Sequence, residues 1–216
     1  MYSDLLSPMN QLEKTHYQMI KQPRQARSKA TVEAILEAAT RILVTSGYAS
    51  ATTNSIARYA GVGIGSLYEY FPNKEAIFTE IRRREAIKHF QRLTGIAQST
   101  HPKAMLEHMI STHIAFVRDH LEIYIALETQ VPRLAFEETE KAVLDKYAAL
   151  SNAFLASRQA DLRPRQDITF ISELLSRIVL STVKDYALRA PDRLAEPDLT
   201  DALIELIRNY LLGEIA

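Results

Sequence analysis

The sequence predicts an all-α fold of about nine helices. Six of the 216 residues are glycine, and four of these six lie between Gly47 and Gly65. The long stretches outside that segment are rich in Ala, Leu, Ile, Glu and Arg, most of which favour helices. No run alternates apolar and polar residues for long enough to indicate a strand.

The first 46 residues predict an arm followed by a long helix. Residues 1–26 are polar, contain two prolines and lack sustained periodicity, so we expect a mobile arm with at most a helical turn near residues 9–20. The first helix is predicted from about Lys29 to Ser46, because apolar residues recur there at helical spacing. Gly47 suits the left-handed position that ends a helix.

Three further helices follow at short intervals. Thr52 or Thr53 can cap the second helix, Pro72 stops the third, and Asn73 can cap the fourth. The predicted bounds are about 54–60, then 63 or 64 to 71, and 74–98.

Longer helices, with prolines at several of their boundaries, are predicted for the second half of the chain. Pro102 fits the first turn of one helix, and Asp167 and Asp198 can cap the last two. A loop is expected between Pro191 and Pro197. These helices are predicted over about 102–119, 121–130, 134–161, from Asp167 to 189, and from Asp198 to 212, where Gly213 ends the last one.

Composition excludes several classes of protein. The chain is 47% apolar and 24% charged, as in ordinary globular proteins. We expect neither a transmembrane helix nor a signal peptide, because no apolar run is long enough and the first residues lack a basic start. There is no cysteine, which excludes disulfides and thiolate zinc sites and suits a reducing cytoplasm.

The formal net charge of zero conceals regions of opposite sign. Residues 21–92 carry twelve Lys and Arg against six Asp and Glu, a net charge of +6. The net charge is −1 over residues 1–20 and −5 over residues 93–216. This asymmetry suggests a polyanionic partner for the basic part, although an uneven scatter of solvated charges explains it equally well.

Residues 53–78 carry the most informative pattern, two short helices joined by a tight turn that contains glycine. Small residues at Ala57 and Ala60 let two helices cross closely, while Leu67 and Phe71, four residues apart, supply the inner face of the second helix. This is the geometry of a helix-turn-helix, which sets its second helix into the major groove of DNA.

This segment resembles the TetR family of bacterial transcription regulators. The match covers about 45 residues, from near Ile35 to near Ile81, and beyond it the chain agrees only in length and helical character. The matching residues are Ile56-Ala57, Ala60-Gly61-Val62, Gly65-Ser66-Leu67-Tyr68, Tyr70-Phe71 and Asn73-Lys74-Glu75.

The resemblance implies a sequence-specific DNA-binding regulator, most commonly a repressor that a small, mostly apolar effector releases from a palindromic operator. Activators and corepressor-dependent members also exist. The resemblance divides the chain into a flexible arm (1–26), a helix-turn-helix DNA-binding domain (27–73) and a ligand-binding and dimerisation domain (74–216).

Helix geometry identifies the side of the third helix that faces DNA. If Leu67 and Phe71 point inward, successive steps of about 100° turn other residues outward. These are Gly65, Ser66, Tyr68 and Glu69, with Ile64 and Tyr70 on the flanks. Gly65 allows close approach of the backbone, and the tyrosines can donate to phosphate or pack on thymine methyl groups.

The resemblance adds Thr53 and Lys74, which match family positions that hold phosphate oxygens, and Asn54, which stands where some members have a basic residue that contacts a base edge. The role of Glu69 stays open. Its carboxylate could accept a hydrogen bond from cytosine N4, or it points away or pairs with a nearby Arg.

Basic residues outside the third helix are weaker candidates for contacts with DNA. Four of them precede or begin the first helix and could follow phosphates or enter a minor groove, or they contribute general charge alone. These are Lys21, Arg24, Arg27 and Lys29. Arg58 is a further phosphate candidate, whereas Arg82, Arg83 and Arg84 are predicted to be solvated or salt-bridged.

Other patterns in the sequence do not indicate a nucleotide-binding, metal or catalytic site. The segment from Gly61 to Gly65 lacks the spacing and context of a nucleotide-binding loop. Four histidines, at 101, 108, 113 and 120, are spaced by seven, five and seven residues, which does not suit a metal site on one helix. No catalytic grouping has a supporting motif, so we expect no enzyme activity, no metal and no cofactor.

The C-terminal helices carry more apolar residues than an outward-facing helix needs. The resemblance implies a cavity among them for the effector, although most of these residues would be plain core in any helical bundle. The candidate lining residues are Met105, Met109, His113, Phe116, Tyr147, Phe154, Phe170, Leu174 and Arg177.

The last two helices are the predicted homodimer interface. The penultimate helix carries small or branched side chains, and the last one has more apolar residues than one buried face requires. A dimer would set two recognition helices about one turn of double-stranded DNA apart, roughly 34–36 Å. Two alternatives stay open: a helical ligand-binding or scaffolding protein whose N-terminal module no longer binds DNA, and a small helical enzyme.

Overall fold

The structure, a computed structural model, describes residues 17–97, 102–156 and 167–212. Within these ranges the chain forms nine α-helices and two short 3-10 helices and no strand, so the all-α prediction is confirmed. No helix in the described ranges is both long enough and apolar enough to cross a membrane. In chain order the helices are α1 (Ala26–Ser46), α2 (Thr53–Tyr59), α3 (Ile64–Tyr68), α4 (Lys74–Ala97), α5 (Pro102–Asp119), α6 (Leu121–Gln130), α7 (Glu137–Ala156), α8 (Ile168–Arg189) and α9 (Pro197–Leu212).

Two compact units divide the chain. The first unit reaches from residue 17 to Ile87 and includes Glu122–Glu140, while the second comprises Lys88–Leu121 and the described residues from Lys141 onward. This division falls inside α4 and not at the predicted boundary after residue 73. The reason is that α4 and α6 contribute apolar side chains to the same core as the first three helices.

The core of the first unit is built on one stripe of α1. The spacing that predicted this helix is confirmed, because Val32, Ile35, Ala39 and Leu43 have no exposed surface. Side chains of the next three helices, Ile56, Leu67, Ile77 and Phe78, close the core from other directions. Phe71, between α3 and α4, joins them. Burial of each large apolar side chain is worth about 1.5–3 kcal/mol, which holds helices that are too short to be stable alone.

Caps and left-handed glycines set the turns between these helices. The hydroxyl of Thr52 accepts from the backbone N–H of Ser55 at 3.1 Å, and the Ser55 hydroxyl accepts from the N–H of Thr52 at 3.0 Å. This reciprocal pair satisfies two donors at the start of α2. Gly47 and Gly61 have φ angles of 79° and 66°, where a side chain would be strained.

In the second unit, α5 packs against both α8 and α9. The buried residues of these three helices include Ile110, Ile114, Val117, Ile171, Leu175, Val179, Leu203 and Ile207. Asp167 caps α8 as predicted, and its carboxylate accepts from the N–H of Thr169 at 2.9 Å. The predicted loop between the last two helices contains a 3-10 helix, Pro191–Ala195, which buries Leu194.

Several helix ends differ from the predicted ones. α3 ends at Tyr68 and not near Phe71, because the N–H groups of both Tyr70 and Phe71 bond to the carbonyl of Leu67. A 3-10 helix, Arg133–Ala135, precedes α7, which begins at Glu137. Helix α9 begins at Pro197, whose missing N–H is tolerated in a first turn, so Asp198 lies inside the helix and not at its cap.

The arm is only partly described, since residues 1–16 and most of the predicted helical turn lie outside the described residues. Tyr17 and Met19 pack against the core of the first unit, and the N–H of Ile20 donates to the carbonyl of Tyr70 at 2.8 Å. The apolar side chains of Tyr17 and Met19 thus have places against the core, while the expectation of a mobile arm stays a prediction. The predicted continuation of α7 beyond residue 156 and the role of Gly213 also lie outside the described residues.

The cap of α2 has a measurable effect on stability. Thr52→Ala removes the hydroxyl that accepts from Ser55, and we expect a loss of about 1 kcal/mol in the free energy of unfolding. Urea denaturation followed by circular dichroism measures this loss. Thr45→Ala is the control, because that exposed hydroxyl bonds to the carbonyl of Arg41 within α1 and Ala favours a helix. Equal losses in the two variants would contradict a capping role.

Candidate DNA interface and effector pocket

One side of α3 is open to solvent. Ile64 and Tyr68 are 39% and 46% exposed, and a Cβ atom added to Gly65 would meet no described atom within 4 Å. Ser66 is half-buried, whereas Leu67 has no exposed surface and fixes the rotation of the helix. The geometry thus confirms the outward placement predicted for Ile64, Gly65 and Tyr68, while contact of these residues with DNA stays a prediction.

A hydroxyl pair connects the first residue of α2 to the last residue of α3. The Thr53 and Tyr68 hydroxyl oxygens are 3.0 Å apart, and either can donate to the other. One hydroxyl proton of the pair is therefore left to donate elsewhere. Asn54 is exposed next to Thr53. These groups are suitable donors for phosphate oxygens.

Lys74 is held in place at the start of α4. Its Nζ donates to the carbonyl of Tyr48 at 3.1 Å and lies 3.7 Å from the centre of the Tyr48 ring. The Tyr48 hydroxyl donates to Glu75 at 2.6 Å, and burial together with this hydrogen bond raises the pKa of Tyr48. The ammonium has further protons to donate, so a positioned Lys74 remains compatible with the predicted phosphate contact.

The predicted outward placement of Tyr70 on a flank of α3 is wrong. Its side chain is 8% exposed and belongs to the core of the first unit. The helical geometry that placed it on a flank of α3 does not apply, because the helix ends at Tyr68. Tyr70 therefore packs into the core next to α3, and its contact with DNA stays a prediction.

Glu69 pairs with the arm. Its carboxylate lies 2.8 Å from Nζ of Lys21, and the two side chains are about half exposed. The hydrogen bond to Glu69 raises the pKa of Lys21, whose ammonium also lies 4.9 Å from the centre of the Tyr70 ring. The structure thus shows the pairing alternative for Glu69, with a Lys in place of the predicted Arg. Lys21 neutralises a carboxylate that would otherwise repel phosphates.

Ion pairs engage Arg82, Arg83 and Arg84, as predicted. Two of the three guanidinium groups share the carboxylate of Glu80, which is 5% exposed: Nε of Arg83 and Nε of Arg84 each lie 2.7 Å from it. The guanidinium of Arg82 pairs with the carboxylate of Glu128, from α6. These pairs give the three arginines a structural role in the first unit.

The second unit contains a cavity of about 40 Å³, enough for a few water molecules. Four helices line it, namely α5, α7, α8 and α9. Three predicted residues, Met109, Tyr147 and Phe154, are in its wall. The other lining residues are Ile110, Ser151, Leu155, Leu175, Ser176, Val179 and Ile207.

The face of α8 that lines this cavity is shifted by one residue from the predicted one. Phe170 is 60% exposed, Leu174 is half-buried outside the cavity wall, and Arg177 is exposed and paired with Glu173. One step along the helix, Leu175 and Val179 face the cavity. The charge of Arg177 is the signal that could have corrected this assignment, because a guanidinium rarely sits unpaired in an apolar wall.

A buried polar cluster lies next to the cavity. The Tyr147 hydroxyl is within hydrogen-bond distance of His89 on α4 and of His113 on α5. The ring of Phe116 lies 4.5 Å from that of His89. Both predicted residues of this cluster, His113 and Phe116, are therefore buried but absent from the cavity wall itself. The side chain of Met105 lies outside the described residues.

Burial keeps both imidazoles uncharged at neutral pH. Desolvation lowers the pKa of His113 to about 4, and desolvation with nearby positive charge lowers that of His89 to about 2. Among the described residues, no group of three or more His, Asp or Glu side chains could hold a metal ion. His101 lies outside those residues.

These features define a class: a helical protein with a helix-turn-helix unit and a second, cavity-containing helical unit. Residues 35–81 match the family model described as bacterial regulatory proteins, tetR family. The chain is 24% identical over 159 residues to the fatty acid metabolism regulator protein of Bacillus subtilis, covering 71% of this chain and 82% of that protein. The chain belongs to the TetR family of transcription regulators.

Solved structures share the fold. The secondary repressor of the MexAB-OprM multidrug efflux pump of Pseudomonas aeruginosa, NalD, has a TM-score of 0.69 and 24% identity over 88% of this chain and all of that one. The transcriptional regulator FadR from Bacillus subtilis in complex with stearoyl-CoA has a TM-score of 0.64 and 19% identity, covering 82% of this chain and 98% of that one.

The pair between Lys21 and Glu69 predicts a specific pattern of DNA affinities. Lys21→Met leaves an unpaired carboxylate beside the DNA-facing side, so we expect the dissociation constant to rise about 3- to 10-fold. Glu69→Gln in the Lys21→Met background should restore most of the affinity, because it removes the repulsion. Fluorescence anisotropy with a labelled duplex at fixed salt measures both changes.

Lys29→Met is the control for this experiment, since it removes an exposed positive charge that lies at the start of α1. Glu69→Gln should not rescue that variant. Rescue of both lysine variants to the same degree would contradict the pairing and would reduce Lys21 to general charge.

The buried imidazoles predict that acid destabilises the fold. Because the folded pKa of His113 is lowered, its contribution is complete above about pH 6.5 and is lost as the pH falls toward 4. At pH 5 the loss is about 2 kcal/mol for this residue. Urea unfolding at pH 7.5 and pH 5 should show a smaller decrease for His113→Gln than for the unchanged protein. An identical decrease would refute the assignment.

Proposed function

We propose that this chain acts as a homodimeric repressor in the cytoplasm, where it binds a palindromic operator through α3 and leaves that operator when a small, mostly apolar effector binds. The observation that carries the DNA-binding part is the exposed side of α3, where Gly65 allows the backbone to approach a major groove closely. The membership in a family of transcription regulators supports this function over enzymatic turnover.

Contacts with DNA divide into two kinds in this proposal. Ile64, Gly65, Ser66 and the ring of Tyr68 meet base edges and thymine methyl groups. Phosphates are held by the hydroxyls of Thr53 and Tyr68, by Asn54 and by the ammonium of Lys74. The placement of the hydroxyl pair and of Lys74 before any DNA is present supports these roles, because groups fixed in advance lose less entropy on binding.

The effector site in this proposal is the cavity of the second unit. Its wall is mostly apolar, and the complex of FadR from Bacillus subtilis with stearoyl-CoA is one precedent for a long apolar ligand in this fold. The cavity is much smaller than such a ligand, so binding has to displace flexible side chains such as Met109 and Phe154. A ligand that prefers the enlarged state shifts the equilibrium toward it.

The homodimer in this proposal forms through α8 and α9. Large apolar side chains are exposed on both helices, and they support this interface because such surface is normally covered in an obligate dimer. They are Phe170 at 60%, Leu188 at 37% and Leu206 at 54% exposure. A symmetric pair would present two copies of α3 to successive turns of a palindrome.

Gly65→Ala tests the close approach of α3 to DNA. Alanine favours a helix over glycine by about 1 kcal/mol, and the open space around Gly65 admits a methyl group. We therefore expect unchanged or higher thermal stability together with a loss of DNA affinity of tenfold or more. The DNA is a set of duplexes that the unchanged protein selects from a random pool, and anisotropy measures the affinity.

Glu37→Ala is the control, because it also creates an exposed alanine on a helix of the first unit. It should leave the affinity for the selected duplexes unchanged. Failure of the unchanged protein to enrich any palindrome at low salt would overturn the proposed function. Retained affinity in Gly65→Ala would remove this residue from the interface.

A further inference from the structure

The apolar cavity of the second unit has few polar groups that are free to meet a ligand. The Ser176 hydroxyl donates to the carbonyl of Ser172 at 2.7 Å, and the Ser151 hydroxyl lies 3.3 Å from that of Ser176. Tyr147 also lines the cavity, but its hydroxyl is engaged by two imidazoles. A polar ligand group therefore has to find its partner at the edge of this wall.

His113 stands at that edge. It follows Met109 and Ile110 on α5 by four and three residues, so its side chain continues the helix face that forms the wall. It is 6% exposed, and its Nε2 has no hydrogen-bond partner among the described residues. A buried polar atom without a partner destabilises the fold, and a ligand group that bonds to it would recover that cost.

The contacts of Tyr147 decide what His113 Nε2 can bind. The Tyr147 oxygen lies 2.6 and 2.8 Å from the two ring nitrogens of His89 and 3.0 Å from Nδ1 of His113. O–H donors make the shorter bonds and N–H donors the longer ones. The proton assignment that fits these lengths has Tyr147 donate to His89 and Nδ1–H of His113 donate to Tyr147. An uncharged His113 then has no proton on Nε2, which leaves that nitrogen as an acceptor.

The surroundings of His113 disfavour a charged ligand group. The guanidinium of Arg92 is engaged by Asp119 at 3.3 Å, and the ammonium of Lys146 lies 5.6 Å from the centre of the Phe90 ring. Burial lowers the pKa of Lys146 and of both imidazoles. A carboxylate placed here would lose its hydration, and the nearby guanidinium of Arg92 is already paired with Asp119.

We propose that His113 Nε2 is the polar anchor of the effector pocket and that it accepts a hydrogen bond from the hydroxyl group of an otherwise apolar, uncharged ligand. This inference rests on the proposed function only in naming the cavity as the effector site. The ligand class is that of an alcohol, so neither a carboxylate nor a ketone of the same size replaces it.

Calorimetric titration of the full-length protein with 1-octanol, 2-octanone and octanoate tests the anchor without DNA. We expect 1-octanol to bind about tenfold more tightly than the other two, since only the alcohol donates to an acceptor. His113→Leu should abolish this preference while keeping weak binding of 2-octanone. His108→Leu is the matched control, because His108 lies on the same helix and contacts Thr112 instead, and it should keep the preference.

Nitrogen-15 NMR of the histidine side chains tests the anchor in the unchanged protein, so it does not require a substituted protein to fold. Nε2 of His113 should resonate as an unprotonated imidazole nitrogen, and its resonance should move when 1-octanol binds. A protonated Nε2, equal or tighter binding of octanoate or 2-octanone, no binding of 1-octanol, or an unchanged preference in His113→Leu would each overturn the anchor.

A parallel measurement separates this inference from the proposed function. If 1-octanol releases the selected DNA duplexes from the unchanged protein but not from His113→Leu, the result supports both the anchor and the proposed function. Binding of 1-octanol at His113 without release of DNA supports the anchor and contradicts its role in regulation. Failure to bind DNA at all overturns the proposed function and leaves the calorimetric result standing.

Discussion

The surface that we propose to meet DNA depends on a helix that has no stability of its own. Five residues, Ile64–Tyr68, make little more than one turn, and isolated helices of such length do not persist in water. Burial of the single side chain of Leu67 in the core shared by α1, α2 and α4 holds the turn in one orientation. All other features of the surface follow from that orientation, because it leaves Gly65 and Tyr68 facing outward.

Around this helix the protein balances charge locally. A carboxylate on the DNA-facing side would oppose binding to a polyanion, yet Glu69 is matched by Lys21 from a segment 48 residues earlier. Lys74 is likewise fixed by Tyr48 and does not sample solvent freely. The overall neutrality of the chain is therefore compatible with a partner of high charge density, since the positions of a few groups decide the local field.

Sequence patterns predicted what local spacing controls. The stripe on α1, the cap at Asp167 and the inward position of Leu67 are all set by neighbours within a few residues, and the structure confirms them. Tyr70 was misplaced because a helical period was extended past the point where the helix ends. The lining face of α8 was shifted by one residue, since several apolar stripes compete on a helix that is buried on more than one side.

Contacts between distant segments could not be predicted. Nothing local indicates that Lys21 meets Glu69, or that His89 and His113 share the hydroxyl of Tyr147. Such pairs arise when the folded chain brings separate helices together, and one sequence contains no record of that proximity. The cavity wall could not be predicted for the same reason, because it combines Ile207 of α9 with residues from three other helices.

The separation of the two units has an evolutionary consequence. Residue 113 belongs to the second unit, whereas every residue proposed to meet DNA belongs to the first. A single codon change at this position alters the hydrogen-bonding character beside the cavity and leaves the reading surface untouched. Duplicated copies of the gene can thereby keep one set of target promoters while they diverge toward different chemical signals.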